Sequence, residues 1–448
     1  MQEAIAHYHE LLTDELAQAS WAMLSDQLRR RGLVFGERPV ATVLRPRFLT
    51  LARYRVLQQR VRLLMAAFGK VYERAMADPE FRRQFRLADW EERLIRLDPG
   101  LRQPSPTSRL DAFVMDDADT MALTEYNAET PAGAGYNDAL VASFADLPVM
   151  RAFGRRFEAR PLVARHGVLH VLLDAYEEWG GGRRRPRVAI VDWPEVPTHS
   201  EFVLFQEYFE VIGVEAVIAD PRELDFRAGR LYAGGGPVDL VYKRVLLAEL
   251  VERCGLETPL LQAVAARAVC MVNTPRCKVL HKKASLAVLS DERNRTLFTV
   301  EERACIAAHV PWTRVMEERR TEYAGTPVDL VAFVLASRER LVLKPNDDYG
   351  GTGIVLGWDV DDSTWERAVS TALASPYIVQ ERVAIPSEPY PSVVDGRTVF
   401  AERMMDTAPF VCHGDYAEGC LTRLSTAALL NVTAGGGSTV PTFLVERR

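Results

Sequence analysis

The densest set of residues able to do chemistry is Arg109 and Asp111 on one short run, with Glu125 and Asn127 on the next. Between them Asp116-Asp117-Ala118-Asp119 is a turn cluster separating two alternating apolar runs, the pattern of a β-hairpin over residues 109–127. A turn centred on Ala118 sets Asp111 opposite Glu125 and Arg109 opposite Asn127. Residues two apart on a strand share a face, so these four side chains project together. Phe113, Met115, Met121 and Leu123 are expected to continue that face inward as apolar packing. Two carboxylates directly opposite each other repel. A cation held between them removes the conflict, and oxygens of Asp, Glu and Asn suit Mg²⁺, which binds through one or two carboxylates plus phosphates. Arg109 beside them can meet phosphate oxygens bidentately. The same residues also describe a solvated hairpin tip with a compensating arginine, and a one-residue slip of register removes the alignment.

A second constellation lies in residues 341–357. Leu341-Val342-Leu343 ends in Lys344-Pro345, and Asp347-Asp348-Tyr349-Gly350-Gly351-Thr352-Gly353 leads back into Ile354-Val355-Leu356. Glycines permit close backbone approach, their N–H groups can cradle phosphates, and the lysine supplies a point charge. The spacing fits neither GxxxxGK[ST] nor GxGxxG, and by itself it equally describes a tight hairpin. Further on, Tyr377-Ile378-Val379-Gln380-Glu381-Arg382-Val383 is an apolar strand with a polar end that can offer backbone groups to a purine edge. Upstream, His281-Lys282-Lys283-Ala284 opens a helix where another phosphate-facing lysine fits.

The elements that must position these groups follow from periodicity. Residues 1 to about 100 read as helices, with apolar positions three and four apart in Leu57, Val61, Leu64, Met65 and Phe68. Gln103-Pro104-Ser105-Pro106 breaks the pattern. Helical signals resume after the hairpin to about Trp179, and Gly180-Gly181-Gly182 with Arg183-Arg184-Arg185 and Arg187 forms a linker, read as a solvated loop. Strands at residues 188–192, 215–220 and 239–242, with a helix near Glu201–Val211, imply a small parallel α/β unit. Helices to about residue 310 and a mixed segment complete the chain.

Composition narrows the class. The 448 residues are too many for one simple core, which makes two or three packed subdomains the expectation. A net charge of -6 argues against a nucleic-acid binder. No basic segment followed by an apolar run opens the chain, and no apolar run is long enough to span a membrane, so a cytoplasmic location is the expectation. The six cysteines carry no CxxC spacing and read as buried reduced thiols.

Taken together the parts resemble the ATP-grasp superfamily. They are a lysine at a helix start (Lys283), a strand lysine (Lys344), a glycine loop (Gly350, Gly351, Gly353), an adenine-linker strand (Gln380, Glu381, Val383) and a Glu-x-Asn metal motif (Glu125, Asn127). Ordinary members carry the Glu-x-Asn downstream of the nucleotide segments; here it lies roughly two hundred residues upstream. That order resembles the circularly permuted branch, which includes glutathionylspermidine synthetase. The branch's Arg-x-Asp falls on Arg109 and Asp111, and its Glu-x-Asn-x-x-Thr-Pro on Glu125, Asn127, Thr130 and Pro131. Its lysine at the helix start falls on Lys283 rather than Lys282 by alignment with Ala284. The tail from Gly419 through Arg423 to Gly435-Gly436-Gly437 resembles a C-terminal stretch of the branch, where Arg423 and the glycines either approach substrate or form a plain loop.

The resemblance implies a mixed α+β, α/β chain: a circularly permuted ATP-grasp fold with a small parallel α/β domain and an N-terminal helical region. The expected divisions are 1–104 (helical), 105–182 (the metal hairpin segment), 186–275 (the α/β domain) and 276–448 (the nucleotide region). It implies an ATP-dependent carboxylate–amine ligase, working through an acyl phosphate on small-molecule or peptide carboxylate and amine substrates. In that reading ATP and Mg²⁺ are the cofactors. Asp111, Glu125 and Asn127 hold the metal, and Lys283, Lys344 and the glycines hold phosphates. Gln380, Glu381 and Val383 border the adenine, and Arg109 stabilises charge on the moving phosphoryl group. A phosphotransferase without an amine acceptor and a non-catalytic ATP-binding regulator are the alternatives. Substrate identity and oligomeric state are not legible in the sequence.

Overall fold

The computed structural model describes residues 1–35, 38–115, 121–182, 184–347, 351–426 and 437–448. Its main body is a sheet made from both ends of the chain. Strands run in the order Ser387–Val394, Arg397–Met405, Tyr416–Ser425, Ala408–Cys412, Thr107–Val114, Met121–Asn127. The early hairpin joins the late strands because Ala408–Cys412 pairs antiparallel with Thr107–Val114, setting Phe410 against Arg109. This pairing is the physical content of a permuted order: the hairpin of residues 107–127 forms one edge of this run of strands, and the other four come from residues 387–425.

Behind the hairpin lies the long helix Leu51–Ala77, opened by Thr50, whose side chain accepts from the Arg53 N–H. Val61, Leu64, Phe68 and Val71 recur three and four apart and are fully buried. They share one core with Leu110, Leu123 and Tyr126, and the Phe68 and Tyr126 rings stand 4.6 Å apart. Each such buried apolar side chain contributes about 1.5–3 kcal/mol, so this stripe is what holds the hairpin's back.

The expected parallel unit is present, with the order Cys270–Val272, Leu240–Lys243, Val188–Val191, Ala216–Ala219, every pair parallel. Its expected helix spans His199–Val211. A four-stranded antiparallel sheet, Thr313–Val315, Tyr377–Glu381, Leu341–Pro345, Val355–Leu356, carries the glycine segment. Asn273, at the end of the parallel unit, ties the hairpin base down. Its amide oxygen accepts from Thr107 N–H at 3.1 Å, and its amide nitrogen donates to the carbonyls of Thr107, Ala128 and Glu129.

Several segments differ from the sequence reading. The first hundred residues are helical but also contain the short strand Arg47–Leu49, which pairs in parallel with Ser438–Arg447. The stretch up to Trp179 likewise includes a strand, Phe157–Pro161, antiparallel to the same C-terminal strand. Both are short runs whose state is decided by a partner nearly three hundred residues or more away, and tertiary pairing overrides local pattern there. Arg184 and Arg187 of the linker are not free: Arg184 pairs with Asp239 at 2.6 Å and Arg187 with Glu215. Among the cysteines Cys254 is exposed and the other five are buried, all as free thiols. No helix among the described residues is long and apolar enough to cross a membrane.

Candidate active site

The hairpin register at its open end is the expected one, with Arg109 opposite Asn127 and Asp111 opposite Glu125. Beyond Asp111 the pairing slips by one residue, so that Ala112 faces Leu123 and Phe113 faces Ala122. This bulge leaves Thr124 as the extra residue, and its hydroxyl donates to the Asp111 carbonyl at 3.1 Å. The slip reverses the faces of the second strand. Phe113 stays on the site side, while Met121 and Leu123 turn into the core beside Leu110 and Ala112. The expected continuous apolar face of Phe113, Met115, Met121 and Leu123 is therefore wrong for the last two, because a bulge moves every later side chain across the sheet. The turn cluster 116–119 lies outside the described residues.

The charges at the open end are tightly paired. Arg109 Nε meets Asp111 Oδ1 at 2.7 Å, and its NH1 reaches the carbonyl of Ala132. Arg423 NH2 meets the other Asp111 oxygen at 2.6 Å, and Arg423 Nε holds Asp406 at 2.7 Å. Burial raises the Asp111 pKa, but Arg109 and then Arg423 outweigh it and hold the carboxyl well below the usual range. Burial wins at Asp406, whose carboxyl sits above its ordinary value despite Arg423. Glu125 pairs with Lys283 at 3.0 Å; burial pushes its pKa up most strongly, but Lys283 and Lys344 together outweigh it and the net shift is downward. Arg423 thus lies on the strand Tyr416–Ser425 as a full member of the cluster, not on a plain loop.

The nucleotide half of the sequence meets this hairpin directly. Lys344 Nζ donates to Gln380 Oε1 at 2.7 Å and to the Thr124 carbonyl at 3.2 Å. Burial draws its pKa down to about 8, opposed by the nearby Glu125. Gln380 in turn donates to Thr313 at 3.0 Å, so its side chain is spent on orienting Lys344. Glu381 accepts from the Tyr323 hydroxyl, and its backbone N–H donates to the Trp312 carbonyl. Val383 lines the cavity beyond it, beside Arg382 stacked 4.3 Å over the Trp358 ring. Gly351 also lines the cavity, whereas Gly353 is backed against Pro345, where a Cβ would come within 2.7 Å of the proline ring. With φ at +70°, Gly353 is in the conformation that favours glycine. Gly350 lies outside the described residues, as do Gly435 and Gly436 of the tail.

Many of these groups border one cavity of about 1420 Å³. Arg109, Asp111, Glu125, Asn127, Lys344 and Arg423 line it together, and Lys283 reaches it through its pair with Glu125. A second arm, which the sequence did not signal, runs toward the parallel unit past Asp192, Thr198, Arg244 and Glu249. Burial pushes the Asp192 carboxyl up to about 6, and one of its oxygens accepts from the Trp193 N–H at 2.8 Å. Arg244 is buried and donates to the Pro131 carbonyl at 2.7 Å, one residue from the carbonyl that Arg109 holds. Residues 131–135 thus form a shared wall, and Gly133 and Gly135 donate their N–H groups to the buried Glu201. His281 also lines the cavity, with its pKa lowered by burial to about 4.

The donor set fits a hard divalent cation. Asp111 and Glu125 are held ionised and Asn127 offers an amide oxygen, while its buried amide nitrogen, a donor with no hydrogen-bond partner, is free to meet an acceptor such as a phosphate oxygen. Mg²⁺ typically binds through one or two carboxylates and completes its shell with water and phosphate, so a donor set of this size is of the kind it uses.

A nucleotide-type glycine segment and strand lysine, facing an acidic hairpin across one cavity, define a protein of the ATP-grasp kind. In sequence the chain matches the model for circularly permuted ATP-grasp type 2 proteins over residues 48–425, and it belongs to that family. A search of curated proteins finds no match. Among solved structures it resembles a glutathione synthetase-like effector from Globodera pallida, with TM-score 0.61, 15% identity, and 98% of this chain and 96% of that chain covered. A second neighbour is a putative gamma-glutamylcysteine synthetase from Methylobacillus flagellatus, with TM-score 0.44, 10% identity and 89% of each chain covered. The first of these supports the fold; neither identifies a substrate.

Proposed function

We propose that the protein is an ATP-dependent carboxylate–amine ligase that forms an amide through an acyl phosphate. The observation that carries the reading is the meeting of Lys344 with the Glu125 hairpin, 3.2 Å from Nζ to the Thr124 carbonyl, on the wall of one large cavity. Two segments 220 residues apart in sequence have no packing need to bring a lysine, two arginines and two ionised carboxylates to one cavity. A triphosphate gives them one.

In this reading Val342, Leu356, Trp358 and Val383 border the adenine, and Lys344 and Lys283 bind the phosphates. Asp111, Glu125 and Asn127 hold Mg²⁺, which when bound neutralises charge on the β- and γ-phosphates. Arg109 and Arg423 each have a second partner beside Asp111, so they can turn an N–H toward the γ-phosphoryl group and release a carboxylate oxygen to the metal. The substrate carboxylate attacks the γ-phosphorus and ADP leaves. The amine then attacks the acyl carbon, inorganic phosphate leaves, and the amine gives up a proton. The arm lined by Asp192 and Glu249 suits the amine, because the charge of Arg244 in the same arm is met by Glu201 at 3.5 Å and the two remaining carboxylates favour an ammonium group entering from water.

The test is a screen for ADP release with Mg-ATP and pairs drawn from amino acids, short peptides and polyamines, with mass spectrometry of every hit. An amide product with one ADP and one phosphate per bond supports the reading. A stable phosphorylated product formed without an amine would make the protein a phosphotransferase instead.

A further inference from the structure

A second group of charges is buried just behind the cavity, where five segments of the chain meet. Glu91 belongs to the helix Asp89–Leu94, Glu129 follows Asn127 by two residues, and Lys243 ends a strand of the parallel unit. Lys278 lies in the helix Cys277–His281, Lys282 follows it, and Asp347 lies three residues beyond Lys344. Three lysines balance three carboxylates. Glu129, Lys243 and Lys278 are essentially inaccessible to solvent. Buried charges are retained at a cost unless each is paired, and here every one is.

Asp347 stands at the crossing point. Its two oxygens take Lys278 Nζ at 2.7 and 2.8 Å, and one of them also takes Lys282 Nζ at 2.8 Å. The residue before it completes the fastening. The Asn346 carbonyl accepts from Lys283 N–H at 2.9 Å, and its side-chain oxygen accepts from Ala284 N–H at 2.9 Å. The turn that follows Lys344 is thereby bolted to the helix start that carries Lys283. Both lysines then reach the same hairpin, Lys283 at Glu125 and Lys344 at the Thr124 carbonyl.

We propose that Asp347 is a positioning residue: through Lys278 and Lys282 it fixes the separation of Lys283 and Lys344, and so sets the affinity for the triphosphate. The proposal rests on the reading that those two lysines bind phosphates. Asp347 touches no nucleotide in this scheme. The remaining pairs protect the fold when Asp347 is neutralised, because Lys278 still has Glu129 at 3.2 Å and Lys282 still has Glu91 at 2.6 Å. Positioning and folding are therefore separable here.

The experiment compares wild type with Asp347→Asn and Asp347→Glu in the full chain, measuring binding of Mg-ATP and of adenosine alongside thermal melting. Asp347→Asn is expected to weaken Mg-ATP about tenfold, the scale of one lost charge-assisted contact, while adenosine stays within about twofold. Asp347→Glu restores the charge and is expected to recover part of the loss. If Mg-ATP binding by Asp347→Asn stays within about twofold of wild type, or if ATP and adenosine affinities fall together, the positioning role is wrong. Failure of the wild-type protein to bind Mg-ATP at all would instead remove the nucleotide reading beneath it.

Discussion

The charged cluster at the hairpin and the cluster formed by Arg45, Arg47 and Glu388 use the same chemistry in different settings. Arg109, Asp111 and Asp406 are 8%, 4% and 2% exposed; Arg45, Arg47 and Glu388 are 0%, 1% and 8% exposed. Each cluster joins two guanidinium groups to carboxylate. In the second, Glu388 takes Arg45 at 2.6 Å and Arg47 through its other oxygen, and Arg45 also stacks 4.0 Å over the Tyr390 ring. Burial and pairing do not tell the two apart. Access does: Arg109, Asp111, Asp406 and Arg423 all border the large cavity, and none of Arg45, Arg47 and Glu388 does. One cluster is a fastening between the N-terminal region and the strand Ser387–Val394, and the other faces a space that a ligand can fill.

Substitutions should split along that line. Glu125→Ala is expected to lower ADP formation by about 10²–10³, the usual cost of removing one electrostatic partner of a developing charge. Its fold should survive, because Glu125 keeps 28% of its side chain exposed and water can replace it beside Lys283. Arg109→Ala is expected to lose turnover to a similar degree. Glu388→Gln should do the reverse. It leaves two buried guanidinium groups facing a neutral amide, a change that costs about 3–5 kcal/mol in stability while turnover per folded molecule is unchanged. Denaturant melts beside ADP assays check both, and full activity in a stable Glu125→Ala protein would erase the distinction.

The pH dependence sharpens the same contrast at a single group. Lys344 is charged below its pKa of about 8 and loses its proton above it. Since kcat/KM for ATP reports the free enzyme, it should fall about tenfold per unit as pH rises beyond 8. Lys344→Arg keeps its charge at every such pH, and the falling limb should disappear even if the rate is lower throughout. A limb that persists unchanged in Lys344→Arg would assign it to another group.

How much of this was legible beforehand depended on whether short-range pattern or long-range contact decides each feature. The pairing of Asp111 with Glu125 could be counted out from a turn of defined centre, because strand period is 2 and the Asp cluster marks the turn. The bulge at Thr124 could not, since nothing in Met121-Ala122-Leu123-Thr124 signals which residue is left over. Lys283 and Lys344 were legible as lysines beside helix-start and glycine signals. The choice of Lys283 over Lys282 rested on the alignment of Ala284 with the family's helix start, and the partners of the two lysines needed the fold, which turns Lys282 onto Asp347 and Glu91 and Lys283 onto Glu125. Asp192, Arg244 and Asp406 carry no spacing that distinguishes them from other charged residues. They acquire meaning only because the parallel unit and the C-terminal strands close around the hairpin. The strands Arg47–Leu49 and Phe157–Pro161 were invisible for the same reason, as each exists through its partner in Ser438–Arg447.

The smallest expected effect tests the scaffold alone. The helix Val300–His309 packs against Leu51–Ala77 and runs under the hairpin, with His309 Nδ1 3.1 Å from the Met121 carbonyl. It opens with a capping box. Thr299 Oγ1 accepts from Glu302 N–H at 3.2 Å, Glu302 Oε2 accepts from Thr299 N–H at 2.7 Å, and Lys70 donates to the same oxygen at 2.6 Å. Thr299→Ala removes one half of the box and leaves the other, so the loss should be about 1 kcal/mol of stability. None of these atoms borders the cavity, so KM for ATP should not move. A shift in KM at unchanged stability would mean that the hairpin's position responds to the helix beneath it, and that the division between fastening and site is less sharp than its geometry suggests.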